Sequence, residues 1–258
     1  MNANTSQATV IGIASGKGGV GKSTIAVNLG QALANQGKKT TLLDADLGLA
    51  NAQILLGLDA PYNIGDVINE KKTVNEVLIP CNENFSLIPG ASGDPVLANI
   101  SPLIAKSLIN KVTSEIDDLD VLIVDCAAGL AESNLAFLES CDIKLIVVQD
   151  EPASIADCYG VIKIESKKNQ MDNIFVLPNR VKSQNAGKNL FDKLNKVCMK
   201  FLEEPVYYLD SVVNDDLLIA NARKRESLFP NHETSAAAYN FSQLAEKISE
   251  LKVLKALT

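Results

Sequence analysis

The sequence holds few of the side chains from which metal centres and disulfide frameworks are built. It has one histidine, His232, and five cysteines that are scattered along the chain with no C-x-x-C pair. Zinc sites and disulfide-rich folds need these residues at short, recurring spacings. The pattern indicates reduced, mostly buried thiols of a cytoplasmic protein, and it gives no sign of a zinc site.

Long apolar runs, low-complexity segments and internal repeats are missing as well. No stretch approaches the roughly 20 apolar residues that span a bilayer, and residues 1–7 have neither the basic start nor the apolar core of a signal peptide. Serine and proline do not cluster into a linker. We therefore expect a disordered tail over residues 1–8 and a single domain over residues 9–258 that ends in a helix.

Positive charge is in the minority, because 31 acidic side chains outweigh 24 lysines and arginines and give a formal net charge of −7. Proteins that bind nucleic acid through its backbone neutralise the phosphates with lysine and arginine. The compact basic groups include three short runs, at 71–72, 167–168 and 223–225, and such runs are typical of solvated helix ends. We therefore expect no direct nucleic-acid binding.

Strand-like and helix-like patterns alternate from residue 10 onwards. Unbroken apolar runs at 121–124, 143–148 and 174–177 predict strands that helices cover on both faces. Apolar residues at helical spacing lie between them, and the last helix is predicted from about Ser235 to Leu254. The prediction is an α/β fold of three layers, α/β/α, with a mainly parallel central sheet whose ligands bind beyond the carboxyl ends of the strands.

A glycine-rich loop, Ser15-Gly16-Lys17-Gly18-Gly19-Val20-Gly21-Lys22-Ser23-Thr24, joins the first predicted strand to a helical pattern. This is the context of the phosphate-binding motif G-x-x-x-x-G-K-[ST]. Glycines let backbone N–H groups turn around an anion, the lysine places a charge on the outer phosphates, and the serine hydroxyl can bind Mg²⁺. We predict binding of a nucleoside triphosphate with Mg²⁺ through Gly18, Gly19, Val20, Gly21, Lys22, Ser23 and Thr24.

Three acidic side chains stand at the ends of predicted strands. Asp125 closes the most apolar strand, where an aspartate typically holds a Mg²⁺-bound water. Asp44 and Asp46 lie two residues apart, so extended geometry would turn both carboxylates into one site. A bound cation explains such a pair of like charges, with one carboxylate near Mg²⁺ and the other orienting the attacking water. A helix N-cap is the alternative for Asp46.

Asn179 and Arg180 follow the predicted strand at 174–177. The Asn179 amide could read the edge of a purine base, and the planar guanidinium of Arg180 could pack on that base. Such a pair is also common where a loop begins, so the residues alone leave both interpretations open.

The loop and the acidic run resemble a known family. Lys17-Gly18-Gly19-Val20-Gly21-Lys22-Ser23-Thr24 is similar to the deviant Walker A motif of the MinD/ParA class, also called SIMIBI ATPases. The run Asp44-Ala45-Asp46-Leu47-Gly48-Leu49-Ala50-Asn51, with Leu55-Leu56-Gly57-Leu58 after it, resembles the MinD-like flagellar-number regulators FlhG and FleN. The similarity extends from about Val10 to Ile248.

The resemblance implies a P-loop ATPase of slow turnover whose two protomers enclose two ATP molecules. It implies that Lys17 reaches the γ-phosphate in the other protomer, that Asp46 activates water, and that Lys22 acts on the phosphates. Ser23 and Asp125, with Asp44 nearby, would serve Mg²⁺, and Asn179 would contact adenine. Hydrolysis would then time the dimer.

The implied partners are a flagellar master transcription activator and the GTPase FlhF. Two other hypotheses fit the same loop: a ParA-type partition ATPase that binds DNA nonspecifically or positions another polar machine, and a metal-cluster reductase or carrier. We expect a cytoplasmic protein. Residues 251–258 carry leucines and lysines without an aromatic anchor, which leaves peripheral binding at the inner membrane or the cell pole as an alternative.

Overall fold

The computed structural model of the protein describes residues 8–47, 50–91, 100–168, 171–229, 231–232 and 234–255. Its strands are β1 (Thr9–Ala14), β2 (Thr40–Ala45), β3 (Ile79–Pro80), β4 (Phe85–Ile88), β5 (Val121–Cys126), β6 (Ile143–Val148), β7 (Ile174–Val181), β8 (Tyr207–Tyr208) and β9 (Val212–Val213). Its helices are α1 (Lys22–Asn35), α2 (Ala52–Leu55), α3 (Ile64–Ile68), α4 (Val74–Val77), α5 (Pro102–Glu115), α6 (Glu132–Glu139), α7 (Pro152–Ser166), α8 (Gln184–Phe201), α9 (Asp216–Lys224) and α10 (Ala236–Lys255).

One sheet runs through the described part of the chain, in the order β3-β4-β2-β5-β1-β6-β7-β8, and β9 pairs with β7. Its pairings are parallel except for that of β3 with β4. Because β1 lies between β5 and β6, the loop after β1 opens in the middle of the carboxyl edge. The mainly parallel sheet predicted from the sequence is confirmed.

Side chains that alternate along the strands enter two separate core layers. In β5, Leu122 and Val124 pack in the layer of α5, α6, α7 and α8, whereas Val121 and Ile123 pack in the layer of α1 and α10. A period of two within fully apolar strands is what burial by helices on both faces requires. The three-layer arrangement is therefore confirmed.

The strand β7 is longer than its apolar pattern predicted. The pattern stops at Leu177, but the strand continues to Val181 because β9 pairs with its last residues. Asn179 and Arg180 consequently lie within a strand, and the interpretation of the pair as a loop start is wrong.

The ends of the chain are covered only in part. Of the predicted tail, residues 1–7 lie outside the described residues, while Ala8 is buried in the core. The predicted last helix corresponds to α10, and residues 256–258 lie outside the description. Among the described helices, none combines the length and apolar character needed to cross a membrane.

Candidate functional site

The glycine-rich loop, residues 15–21, joins β1 to α1 at the carboxyl edge of the sheet. Gly19 and Gly21 have φ angles of 80° and 99°, which residues with a Cβ rarely adopt. A Cβ on Gly16 would lie 2.3 Å from the carbonyl oxygen of Asp157 in α7. The backbone path therefore requires glycine at these positions, and it brings the loop into direct contact with α7.

A cavity of about 580 Å³ opens beside the loop and the start of α1. Its lining includes Asp46 and every predicted phosphate-binding residue except Val20, whose side chain is buried. The described residues that line it are Gly18, Gly19, Gly21, Lys22, Ser23, Thr24, Ala45, Asp46, Leu47, Asn51, Ile100, Ala127, Ala128, Asn134, Phe137 and Arg180. This volume lies in the usual range of small-molecule sites.

Asp125, at the end of β5, is buried beside the cavity, and neither of its carboxylate oxygens accepts a hydrogen bond from the described residues. The pKa of Asp125 is raised to about 7, chiefly by burial and also by the negative charge of Asp44, while the nearby Ser23 hydroxyl and Lys22 ammonium group oppose this rise. Buried polar atoms in native proteins normally have partners. Both carboxylate oxygens are therefore available to a ligand in the cavity, such as a cation.

Mg²⁺ fits the groups that surround Asp125. This ion prefers hard oxygen ligands and usually takes only one or two of them from carboxylates, with the rest from water and phosphate. Ser23 offers a hydroxyl and Asp125 a carboxylate, and the described residues contain no cluster of three or more His, Cys, Asp or Glu that could hold a metal ion by itself. Such a donor set suits a magnesium ion that arrives with a phosphorylated ligand.

We predict that the metal-free, nucleotide-free protein loses stability as pH rises from about 4 to about 7. The pKa of Asp125 is raised from 3.8 to about 7, so the folded state holds a proton that the unfolded chain releases. The contribution of the Asp125 carboxyl group to the stability of the fold is fully present below about pH 4 and is lost as pH rises through about 7. Burial likewise raises the pKa of Asp44, to about 6, which adds a change of the same sign.

Asp125→Asn keeps the shape of the side chain but cannot ionise, so it should flatten this pH profile. Urea unfolding of both proteins in EDTA across that pH range checks the prediction. An equally steep profile in the variant would contradict it.

Asp44 is buried under the segment that follows β2. Its carboxylate accepts the backbone N–H groups of Asp46 at 3.2 Å, Asn51 at 2.8 Å and Ala52 at 2.9 Å. Asp44 pairs in register with Asp125 on the adjacent strand β5, and it is absent from the described lining of the cavity. The geometry thus gives Asp44 the task of fastening the segment that carries Asp46, and its direct contact with Mg²⁺ stays a prediction.

Lys17, the second lysine of the loop, is absent from the described lining of the cavity. Its Nζ lies 2.9 Å from Oε2 of Glu151, just before α7, and the two side chains are 42% and 53% exposed. Lys22, in contrast, lines the cavity and is buried. The structure therefore separates the two lysines, with one at the site and the other held at the surface of the same chain.

A second cavity, of about 260 Å³, lies between the start of α1, the end of β7 and the helix α9. Its described lining consists of Gly21, Thr24, Ile25, Asn179, Arg180, Val213, Asn214, Asp215, Leu218, Ile219, Ala222 and Arg223. Because Gly21, Thr24 and Arg180 line both cavities, the two spaces adjoin at the loop. The arrangement suits a ligand with a phosphate chain in one cavity and a flat ring in the other.

The structure brings Asn179 and Arg180 to this second cavity. Asn179 is buried, and its Nδ2 donates to the carbonyl oxygen of Val20 at 2.7 Å. Arg180 has a φ angle of 56°, which is uncommon for a residue with a Cβ. Its exposed side chain lies where the two cavities adjoin. Their contact with a base stays a prediction.

Sequence patterns missed two parts of the site. The helix α9 forms a wall of the second cavity through Leu218, Ile219, Ala222 and Arg223, and its nine residues give only a short apolar pattern. Gln149, directly after β6, donates its side-chain Nε2 to the carbonyl oxygen of Val20. The only signal for Gln149 is its place at the carboxyl end of a strand, where this fold binds its ligands.

The cysteines do not fit a metal cluster that bridges two subunits. Cys126, next to Asp125, is buried, and so are Cys141, Cys158 and Cys198. Burial raises the pKa of the Cys126 thiol far above its usual range, whereas metal ligation uses the thiolate. The hypothesis of a metal-cluster reductase or carrier therefore finds no support in these positions.

The chain is similar to known proteins over most of its length. The chain matches the family described as CobQ/CobB/MinD/ParA nucleotide binding domain over residues 11–229. It is 38% identical over 239 residues to the antiactivator FleN of Pseudomonas aeruginosa, covering 93% of this chain and 85% of that protein. It is 34% identical over 255 residues to the flagellum site-determining protein YlxH of Helicobacter pylori, covering 98% and 84%.

Among solved structures, the septum site-determining protein MinD of Pyrococcus horikoshii OT3, complexed with Mg-ADP, superposes with a TM-score of 0.79. The match covers 96% of this chain and 98% of that one at 24% identity, so it bears on the fold alone. The family match, by contrast, spans every described residue that lines the two cavities. The chain therefore belongs to the CobQ/CobB/MinD/ParA family of nucleotide-binding P-loop ATPases, in its MinD/ParA class, and its resemblance to FlhG and FleN is confirmed.

Proposed function

We propose that the protein is an ATP-dependent dimeric switch that regulates flagellar number. It does so by binding the flagellar master transcription activator, and it cooperates with the GTPase FlhF. The observation that carries the switch is the position of Lys17, which binds Glu151 and stands apart from the cavity that Lys22 lines. In this proposal Lys17 of the other protomer adds its positive charge to those of Mg²⁺ and Lys22 and stabilises the transition-state charge on the γ-phosphate. The names of the relatives, an antiactivator and a flagellum site-determining protein, support the regulatory role.

In this proposal the backbone of residues 18–24 and the Lys22 ammonium group hold the phosphates, and the positive end of the α1 dipole faces them. Ser23 and Asp125 hold Mg²⁺, directly or through water, and the ion neutralises part of the phosphate charge. Asp46, in the lining of the same cavity, orients and activates the attacking water. Asn179 and Arg180 contact the purine base in the second cavity.

Lys17 of each protomer completes the site of the other by binding its γ-phosphate. Hydrolysis removes the group that this contact needs, so slow turnover limits the lifetime of the dimer. The assembly state, and not the released phosphate, is then the output that a partner protein recognises. We place this activity in the cytoplasm, with or without recruitment to the inner membrane or the cell pole.

Asp46→Ala tests the switch because water activation is separable from phosphate binding. Light scattering of this variant should give twice the protomer mass with ATP and the protomer mass with ADP. Phosphate release should fall by about 100-fold or more. Asp59→Ala, the control, removes an exposed carboxylate 13 residues further along the chain. It should match the unmodified protein in mass with each nucleotide and in phosphate release. A single mass with both nucleotides would contradict the switch, and normal phosphate release would contradict the role of Asp46.

The regulatory role has its own test with the purified flagellar activator of the same organism. The ATP-bound Asp46→Ala form should bind the activator, and the Lys22→Ala form, which cannot hold ATP, should not. If neither variant bound the activator, the proposed partner would be refuted, while the proposed ATPase activity would be unaffected.

A further inference from the structure

The carbonyl oxygen of Val20, inside the phosphate loop, accepts hydrogen bonds from two side-chain amides on neighbouring strands. Nδ2 of Asn179, in β7, lies 2.7 Å from it, and Nε2 of Gln149, directly after β6, lies 3.2 Å from it. This carbonyl belongs to the same planar peptide unit as the N–H of Gly21. The two amides therefore fix the direction of the N–H group of Gly21, one of the described residues that line both cavities.

Gln149 is itself held by α7. Its backbone N–H donates to the hydroxyl of Ser154 at 3.0 Å, and Ser154 is buried in the first turn of the helix. Two residues after Gln149, Glu151 binds Lys17 of the same loop. The corner between β6 and α7 thus contacts the phosphate loop at Val20 and at Lys17. The hydrogen bond to Ser154 fixes the position of Gln149 within this corner.

We propose that Gln149 is a positioning residue for the phosphates: together with Asn179 it holds the loop in the shape that binds a triphosphate. The proposal rests on the proposed binding of ATP. Asn179 lines the second cavity, whereas Gln149 is absent from the described lining of either. Gln149 therefore acts on phosphate binding alone, and Asn179 acts on phosphates and base together.

A ligand without a base separates these two roles. Gln149→Met keeps the length of the side chain and removes its hydrogen-bond donor. The affinity of this variant for ATP and for inorganic tripolyphosphate, both with Mg²⁺, is measured by competition against a fluorescent ADP analogue. One lost hydrogen bond should weaken both ligands by the same factor, about three- to tenfold. Asn179→Leu should weaken ATP more than tripolyphosphate. Gln243→Met makes the same chemical change on α10 and should leave both affinities unchanged.

A double variant tests whether the two amides act on one carbonyl. In each single variant the remaining amide still donates to Val20, whereas the double variant loses both donors. The loss of tripolyphosphate affinity should therefore exceed the product of the two single losses. Turnover at saturating ATP should change by less than about twofold in Gln149→Met, because this residue affects binding and not the reacting atoms.

Two results would overturn the role of Gln149: unchanged tripolyphosphate affinity in Gln149→Met, or a loss confined to ATP. The unfolding temperature of the nucleotide-free variant shows whether the fold itself is affected. If Gln149→Met does not fold, Gln149→Asn keeps the amide but is one methylene group too short, and the same outcomes apply. An unmodified protein that bound no ATP would instead refute the proposed function.

Discussion

Lys22→Ala should abolish ATP binding and, with it, dimer formation and hydrolysis. Lys22 is buried, lines the phosphate cavity and lies at the first position of α1, and it is the one lysine in the described lining of that cavity. Hydrogen bonds to charged groups contribute about 1.5–3 kcal/mol each, and about 1.4 kcal/mol corresponds to a tenfold change. We therefore expect a loss of ATP affinity of at least about 100-fold.

Titration calorimetry with ATP and Mg²⁺ measures this loss, and light scattering measures the dimer. Lys196→Ala removes an exposed lysine from α8 and is the matched control, because it changes the net charge equally and leaves the site intact. Lys22→Gln keeps a polar side chain, one atom shorter and without the charge, and should lose affinity in the same way. An alanine variant that binds ATP within about threefold of the unmodified protein would contradict the role of Lys22.

The charges around Lys22 explain why the site should favour a nucleotide that brings a metal ion. Asp125 feels the negative charges of Asp44 and Asp46, and Lys22 is the positive group that opposes them. Burial strengthens these interactions because the surrounding dielectric constant is low. Mg²⁺ adds positive charge beside the carboxylate of Asp125, and the phosphates add negative charge beside the ammonium group of Lys22. The metal ion therefore offsets the repulsion among the carboxylates, and the phosphates offset the positive charge of Lys22.

The parts of the site that local sequence determines were predictable. Glycines with positive φ, such as Gly19 and Gly21, must stand where the backbone turns around an anion, and the motif records this within ten residues. The strand β5, which carries Asp125 near its end, was predictable for a similar reason, because full burial leaves an unbroken apolar run. In both cases the constraint lies inside one short segment.

The parts that depend on contacts between distant segments were not predictable. Asp44 and Asp46 look equivalent in the sequence, yet Asp44 is occupied by three backbone N–H groups because the chain after β2 folds back over it. The strand β7 continues to Val181 only because β9 pairs with it. Gln149 reaches a carbonyl 129 residues away in the sequence. No pattern within one segment reports such contacts.

Lys17→Ala should bind ATP and yet remain a monomer, so we expect a large loss of dimer formation without a loss of ATP binding. In the described chain the Lys17 side chain contacts Glu151 and stands apart from its own phosphate cavity, so its removal leaves the lining of that cavity unchanged. Both partners of the ion pair are about half exposed, and such pairs contribute about 0–1 kcal/mol. Little free energy therefore holds Lys17 in place, and the charge-assisted contact with a γ-phosphate across the dimer can replace the pair.

The experiment compares three variants by light scattering and ATP titration. Lys17→Ala, made in the hydrolysis-deficient Asp46→Ala background, should keep its ATP affinity within about threefold and raise the dimer dissociation constant by at least about tenfold. Glu151→Gln releases Lys17 and should dimerise at least as well as the parent. Lys39→Ala breaks a comparable exposed ion pair, with Asp118 at 3.1 Å, and should change neither quantity. A normal ATP-bound dimer in Lys17→Ala would show that this lysine does not act across the interface, and the cation that the γ-phosphate needs would then have to come from elsewhere.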